Sequence, residues 1–404
     1  MNAASERVDG FLVLAAIVLA TNLGNMALWT VGSYVHPMVY AFYFAVFAAL
    51  AMRSTANPRL ILALFVLFAI IILGGPVVDW DARSIWFFHA KRIFIDNDLY
   101  AQLDDYAPWS HNDYPVLVAA LAASTAKGLG YWNEIVPRLS VLFVLFPVFL
   151  VFGRLIADSL LFGFWIVGAL SIGGVYLLNG YMDAILALYC AACSWLLLAI
   201  TKRGERETLP VPYWQGRLLL GLMLTTLPFI KNEGLLALAI FFMCLVLAAY
   251  RDFRLITIVP LSLVIYYWLW KSPVLSYQVP THLFSGLTMD KFLSRLFNVQ
   301  DLLAIMARWL KYSGLFWLGF VIFLIAFRSQ VRVLWPAVLF IVTYCAALVA
   351  IYIITPYPLV MHLDTSADRT FIVVNMCIYS LMIYAWTNLG YARSLPPVGG
   401  DIRG

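Results

Sequence analysis

The sequence has little charge. Of its 404 residues, 12% are Asp, Glu, Lys or Arg, and 64% are hydrophobic. Soluble chains carry roughly 25% charged residues, so an ordinary water-bathed domain is excluded. Basic blocks are also lacking. The 26 Lys and Arg residues are scattered along the chain, with no nucleic-acid footprint and no zinc spacing. Cysteine is scarce, and all five residues, Cys190, Cys193, Cys244, Cys345 and Cys377, lie in apolar runs. They read as small packing residues, not disulfide or redox partners. Neither GxGxxG nor GxxxxGK[ST] occurs, so no soluble nucleotide-binding fold is implied. The aspartate runs lack the spacing of a calcium loop. Ten-residue alternation, the mark of a membrane barrel, is missing too.

What is present is a series of long apolar runs. They recur at the length, about 17–25 residues, that crosses a bilayer as helix, and only helices satisfy their backbone in lipid one segment at a time. The pattern predicts an all-α integral membrane protein, 1–404 forming a single transmembrane domain. Twelve spans are expected, at 10–30, 37–52, 59–77, 138–154, 157–178, 182–200, 215–230, 234–250, 254–271, 312–328, 333–354 and 370–388. The first run reads as a retained span rather than a cleaved leader.

Basic residues set the expected orientation. They cluster at Arg53 and Arg59, at Lys202, Arg203, Arg206 and Arg217, at Arg251 and Arg254, at Arg328 and Arg332, and at Arg393 and Arg403. Placing these on the cytoplasmic side puts both termini there. It makes 78–137 an external loop with interfacial helices and 271–311 a second external loop. Counting spans then forbids 115–130 from crossing. That Ala-rich stretch is expected to lie on, or dip into, the outer face. The location implied is a multi-pass protein of a bacterial inner membrane with its active face periplasmic.

The external stretch 78–115 reads VDWDARSIWFFHAKRIFIDNDLYAQLDDYAPWSHNDYP and holds seven aspartates. Acids are mixed there with Arg83, His89, Lys91, Arg92, His111 and aromatics. Other polar edges fall on the same side: Glu134–Arg138, Asn179–Asp183, Lys231–Glu233 and 356–369. Ionisable groups at membrane boundaries are costly unless solvated or paired, so they are candidates for function. Asp81 could cap the helix that follows it, or one of Asp81 and Asp79 could be a general base. Asp113 and His111 sit in a compact HNDYP group, whose Tyr114 and Pro115 set the turn into the next helix. Arg138 could anchor at headgroup level or grip a phosphate with its fork of donors. Asp183, Lys231, Glu233, Asp364 and Arg369 stand at span edges, where each could also be a solvated cap or half of a self-contained ion pair. Arg295, Arg308 and Lys311 are further cations, in a stretch that could cover a site as a lid. A divalent metal is left unassigned.

The motifs DWDARSIWFFHAKRIF, HNDYP and EIVPRL, in that order, resemble the polytopic GT-C glycosyltransferases. Lipid A aminoarabinose transferases and protein mannosyltransferases carry a Pro-Pro-Leu helix and an Ala-Arg-Leu-Pro span at such places. Here Pro115 is followed by Val116, and Arg138–Leu139 by Ser140. Three spans precede the loop, where the family usually has one. The resemblance implies a donor sugar on a polyprenyl monophosphate and inverting transfer to an acceptor hydroxyl. Asp81 would be the base, with Asp79 and Asp113 in reserve. Lys231, Arg369 and Arg138 would hold the phosphate, and Arg83, His111, Tyr114, Asp183, Glu233 and Asp364 would contact substrate. The partners implied are the lipid-linked donor, a glycan, lipid or protein acceptor, and membrane lipid, with no nucleic acid. A flippase for lipid-linked sugars and an O-antigen polymerase or ligase remain as alternatives.

Overall fold

The computed structural model describes residues 8–76, 79–201, 212–249, 252–279 and 289–389. Six of the basic residues used for orientation, Lys202, Arg203, Arg206, Arg251, Arg393 and Arg403, lie outside these ranges. The described residues form helices and short connections, with no strand among them.

Three antiparallel helices open the chain: α1 (Gly10–Trp29), α2 (Met38–Met52) and α3 (Ala56–Leu73). A π-helical turn, Ala82–Trp86, leads into α4 (Phe87–Asp96), and α5 (Leu117–Leu129) follows after a long loop. Next come α6 (Ser140–Leu155), α7 (Ser159–Gly173), α8 (Asp183–Thr201), α9 (Tyr213–Ile230) and α10 (Asn232–Ala249). A broken rod is built from α11 (Phe253–Ile256), α12 (Ile258–Tyr266), a second π-turn at Tyr267–Lys271 and α13 (Ser272–Ser276). The chain ends with α14 (Met289–Leu296), α15 (Val299–Ala326), α16 (Val331–Ile354), α17 (Leu359–Thr370) and α18 (Ile372–Leu389).

The core runs along α8. Its small residues, Ala184, Ala187, Cys190, Ala191, Ala192 and Cys193, are all fully buried. They let α6, α9, α16 and α18 pack closely around it, as small residues do between membrane helices. At the periphery α15 turns Leu303, Leu310, Leu318, Ile322 and Ile325 outward. An exposed apolar belt on a helix of this length is what hydrocarbon requires.

Among the described residues, ten helices are long and apolar enough to cross a membrane. The chain is a polytopic, all-α integral membrane protein. Two of the twelve expected spans differ in character. The segment at 37–52 is α2, only 15 residues long, or about 22 Å at 1.5 Å per residue. The segment at 215–230 is α9, which carries Gln215, Arg217, Thr225, Thr226 and Pro228. The second expected loop, 271–311, is largely helical: α15 starts at Val299, thirteen residues before the span predicted at 312. Residues 280–288 lie outside the described ranges.

The helix at 115–130 is the clearest change of environment. All residues of α5 from Leu117 to Ala126 are buried, enclosed by α1, α4, α6 and α9. Its 13 residues are too few to cross about 30 Å of hydrocarbon. Its alanines serve close packing, not a surface position. Trp29 donates to Ser124 Oγ at 2.9 Å, and Ser124 donates to Asn25 Oδ1 at 2.8 Å. These bonds lock α5 to α1 at fully buried positions.

Charged contacts gather at two ends of the bundle. At one end Asp9 caps α1 through the amides of Phe11 and Leu12 and accepts from Arg154 Nε at 2.7 Å. Gln215 bonds the Asp9 backbone, and Arg217 pairs with Asp252 at 3.2 Å. Asn57 donates to the carbonyls of Gly153 and Ile156. The opposite end carries most of the residues singled out above.

Candidate functional site

Asp81 does not cap a helix. The chain is already helical from Trp80, and Asp81 has helical torsions with no capping bond. Its carboxylate instead accepts from Nη1 of Arg369, 288 residues away in the last turn of α17. The Arg369 guanidinium lies over the Tyr181 ring, 4.9 Å from its centroid, and its Nε donates to the Thr365 carbonyl. Burial and the nearby Asp81 carboxylate raise the Tyr181 phenol above its usual range, so it is a neutral donor at pH 7. The π-turn begins one residue after Asp81. Gly180 adopts φ +92° and has no room for a Cβ beside Phe87 and Ala82, so the Tyr181 turn can press onto the π-turn.

Lys231 forms the second charge centre. Pro228 lies inside the last turn of α9, the helix ends at Ile230, and Lys231 is fully extended at φ −161°, ψ 158°. The chain then reverses at once into α10. Gly234 makes this possible: a Cβ there would lie 1.9 Å from the Leu227 carbonyl oxygen. The Lys231 ammonium sits 2.7 Å from Asp183 and 3.1 Å from Glu233, with its side chain only 7% exposed. Burial alone would lower its pKa, but Asp183 and Glu233 outweigh that and hold it above the ordinary range. Arg369 and Asp183 act on each other electrostatically, so the two charge centres share one region.

Asp113 borders the same region. Its Oδ2 accepts from Asn232 at 3.1 Å, and its carbonyl accepts from Trp270 Nε1 at 3.1 Å. Trp270 belongs to the second π-turn, so both π-turns touch the site. π-bulges recur at functional sites because they re-aim side chains within a helix. His111 has a positive φ of 49° and stacks on Tyr114 at 4.8 Å. Tyr114 also meets Trp86 at 5.5 Å. Burial and the carboxylate of Glu233 keep its phenol protonated.

The structure thus brings together Asp81, Asp113, Tyr114, Asp183, Lys231, Glu233 and Arg369, with His111 stacked at the edge. Asp79 is nearby, in reach of Arg138 and Tyr181. Arg138 gives Nη1 to the carbonyls of Ile72 and Gly75 and Nη2 to that of Leu178. It therefore staples the end of α3 and the turn before α8, with both Nη groups engaged. Asp364 lies elsewhere, in an exposed pair with Arg308 at 2.9 Å, and Arg83 is exposed. Arg295 caps the carbonyls of Ile353, Thr355 and Tyr357 at the end of α16. Sequence reasoning marked Asp368 beside Arg369 at the span edge but missed Tyr181 and His362. Tyr176 donates to Asp368 at 2.6 Å. His362 packs on Tyr352 and Tyr357 within electrostatic reach of Arg369 and Lys231. Asp368 lies next to Arg369 in α17 and His362 lies seven residues before it, and helical spacing around Arg369 was the available signal.

His89 supports this wall from behind. It is 1% exposed, beside Asn112, Ser110 and Arg92, and burial followed by the Arg92 charge lowers its pKa to about 3. It folds neutral and takes a proton readily only when unfolded. Stability should therefore be whole above about pH 6.5 and fall as pH drops toward about 3, because the unfolded state binds the extra proton. Melting temperatures of the wild type and His89→Gln across this window provide the check. The variant should show a shallower acid slope; parallel curves would exclude His89 as the source.

Among the described residues no group of three or more His, Cys, Asp or Glu is placed to hold a metal ion. No protein-family model, curated protein or solved structure matches the chain. What fold and site define is a multi-pass helical membrane protein with a buried ionic cluster at one end.

Proposed function

We propose that the chain is a membrane glycosyltransferase of GT-C type. It takes a sugar from a polyprenyl-monophosphate donor and passes it, with inversion, to an acceptor hydroxyl on the external face. The observation that carries this reading is the ionic cluster. Asp81–Arg369 and Asp183–Lys231–Glu233 come from four separated segments to one end of a membrane bundle. A greasy donor can reach such a place from the bilayer while a polar acceptor arrives from water. On this reading α2 and α9 also cross, giving twelve spans, and the Asp9–Arg154 end is cytoplasmic.

In the transfer, the acceptor oxygen attacks the anomeric carbon as the bond from that carbon to the phosphate oxygen breaks. The electron pair of the broken bond leaves with the phosphate. The hydroxyl proton passes to the Asp81 carboxylate. Cations near the leaving oxygen stabilise the charge that develops there. The test is the purified chain in liposomes with polyprenyl-monophosphate-linked sugars and a panel of hydroxyl acceptors. Release of polyprenyl phosphate in step with a glycosylated product is expected. Passage of intact donor across the bilayer without release would instead identify a flippase.

A further inference from the structure

The two candidate phosphate-binding cations are not equivalent. Lys231 is held by two carboxylates, at 2.7 and 3.1 Å, and is almost wholly buried. A ligand that drew it away would strand both acids in a dry setting. Arg369 differs in three ways. It has one carboxylate in ion-pair contact, Asp81, with Asp183 acting on it from further off, and the contact pair is partly exposed, at 16% and 15%. Its Nη1 and Nε are engaged by Asp81 and Thr365, whereas Nη2 has no acceptor among the described residues. Tyr181 holds the guanidinium plane from one face, so the fork keeps its position if the acid partner changes.

We infer that Arg369 is the exchangeable cation: a phosphate group competes with Asp81 for it, and phosphate binding frees the Asp81 carboxylate. This rests on the transferase reading for its use, though not for its test. With the site empty, the Asp81 carboxylate is engaged by Arg369 and turned away from an acceptor hydroxyl. With phosphate on Arg369, the same carboxylate is released to meet the acceptor hydroxyl. Loading of the donor and arming of the base are then one event. Lys231 is a positioning residue that fixes Asp183 and Glu233 and does not touch the phosphate. The site favours such an exchange over simple addition, because its acids Asp81, Asp183 and Glu233 already outnumber Lys231 and Arg369. A further anion must replace a carboxylate on its cation.

The probes are inorganic phosphate and sugar-free polyprenyl monophosphate, bound to the full chain in nanodiscs. Asp81→Asn removes the competitor and should tighten both probes by roughly tenfold, the range a partly buried ion pair spans. Asp81→Glu should bind as the wild type does, and Arg369→Gln should lose binding. Tightening for the lipid probe alone would place the anion on a headgroup; tightening for both would show a general phosphate site. Unchanged or weaker binding in Asp81→Asn overturns the exchange. A measurement on the unaltered chain guards against a misfolded variant. Carbodiimide labelling of Asp81, read by peptide mass spectrometry, should rise when inorganic phosphate is added; unchanged or reduced labelling overturns the inference. No arm requires turnover. Competition without sugar transfer would sink the transferase reading and leave the exchange standing, and transfer without competition would do the reverse.

Discussion

Lys231→Met should destabilise the folded chain by about 3–5 kcal/mol, the cost of leaving buried acids without their cation. Methionine matches the length and shape of lysine, so packing around α9 and α10 changes little. What changes is charge. Asp183 and Glu233 are both beside the Lys231 ammonium, and they would face each other unpaired. They answer by taking up a proton, which makes the loss largest at high pH and smaller as pH falls. Asp183→Asn should cost less, because Glu233 remains to balance Lys231. Thermal melting in detergent for both variants, over several pH values, measures the effect. A Lys231→Met melt within about 1 °C of wild type would mean that the triad carries no stability, since even 1 kcal/mol moves a large domain by roughly 2–4 °C.

On the transferase reading proposed above, Asp81→Asn should slow sugar transfer by about 10²–10⁴-fold, the usual contribution of a positioned base. Asparagine keeps the shape and can still accept a bond from Arg369, so the fold should persist. It cannot take the acceptor's proton. The split between kinetic constants is informative. If Arg369 holds the donor phosphate, removing its competitor should leave KM for the donor equal or lower while kcat falls. A raised KM with intact kcat would make Asp81 a binding group and move the base to Asp79 or Asp113. Steady-state transfer assays on wild type and variant separate these outcomes.

Much of the architecture was legible because membrane burial writes itself in one dimension. A run such as 140–155 has one environment that suits it, and its helical form follows. The grouping of Asp81, Asp183, Lys231 and Arg369 was also legible in outline, since span counting sends all four to the same end. Pairing was not legible. Which acid meets which base depends on how α17 and α10 rotate in the bundle, and the sequence offered Arg138 as freely as Arg369. Arg138 proved to be engaged with backbone carbonyls, a role that no local pattern announces. α5 was misplaced for a related reason. Alanine-rich helices suit either a surface or a tight interior, and only neighbours such as Trp29 and Asn25 decide between them.

The shortness of α2 has a consequence for the lipid around it. Its 15 residues begin near α5, where Pro37 meets Gly128, and end beside Arg59. The helix thus joins both ends of the bundle with about 22 Å of rise, against about 30 Å of hydrocarbon in a typical bilayer. On the twelve-span reading, in which α2 crosses, the bilayer on that flank must thin or the helix must pull headgroups inward. The annulus of lipid is then uneven, compressed along α2 and relaxed along the 28-residue α15. Such a lopsided collar gives the molecule a preferred membrane thickness and makes its two flanks unequal places for a lipid-borne group to approach.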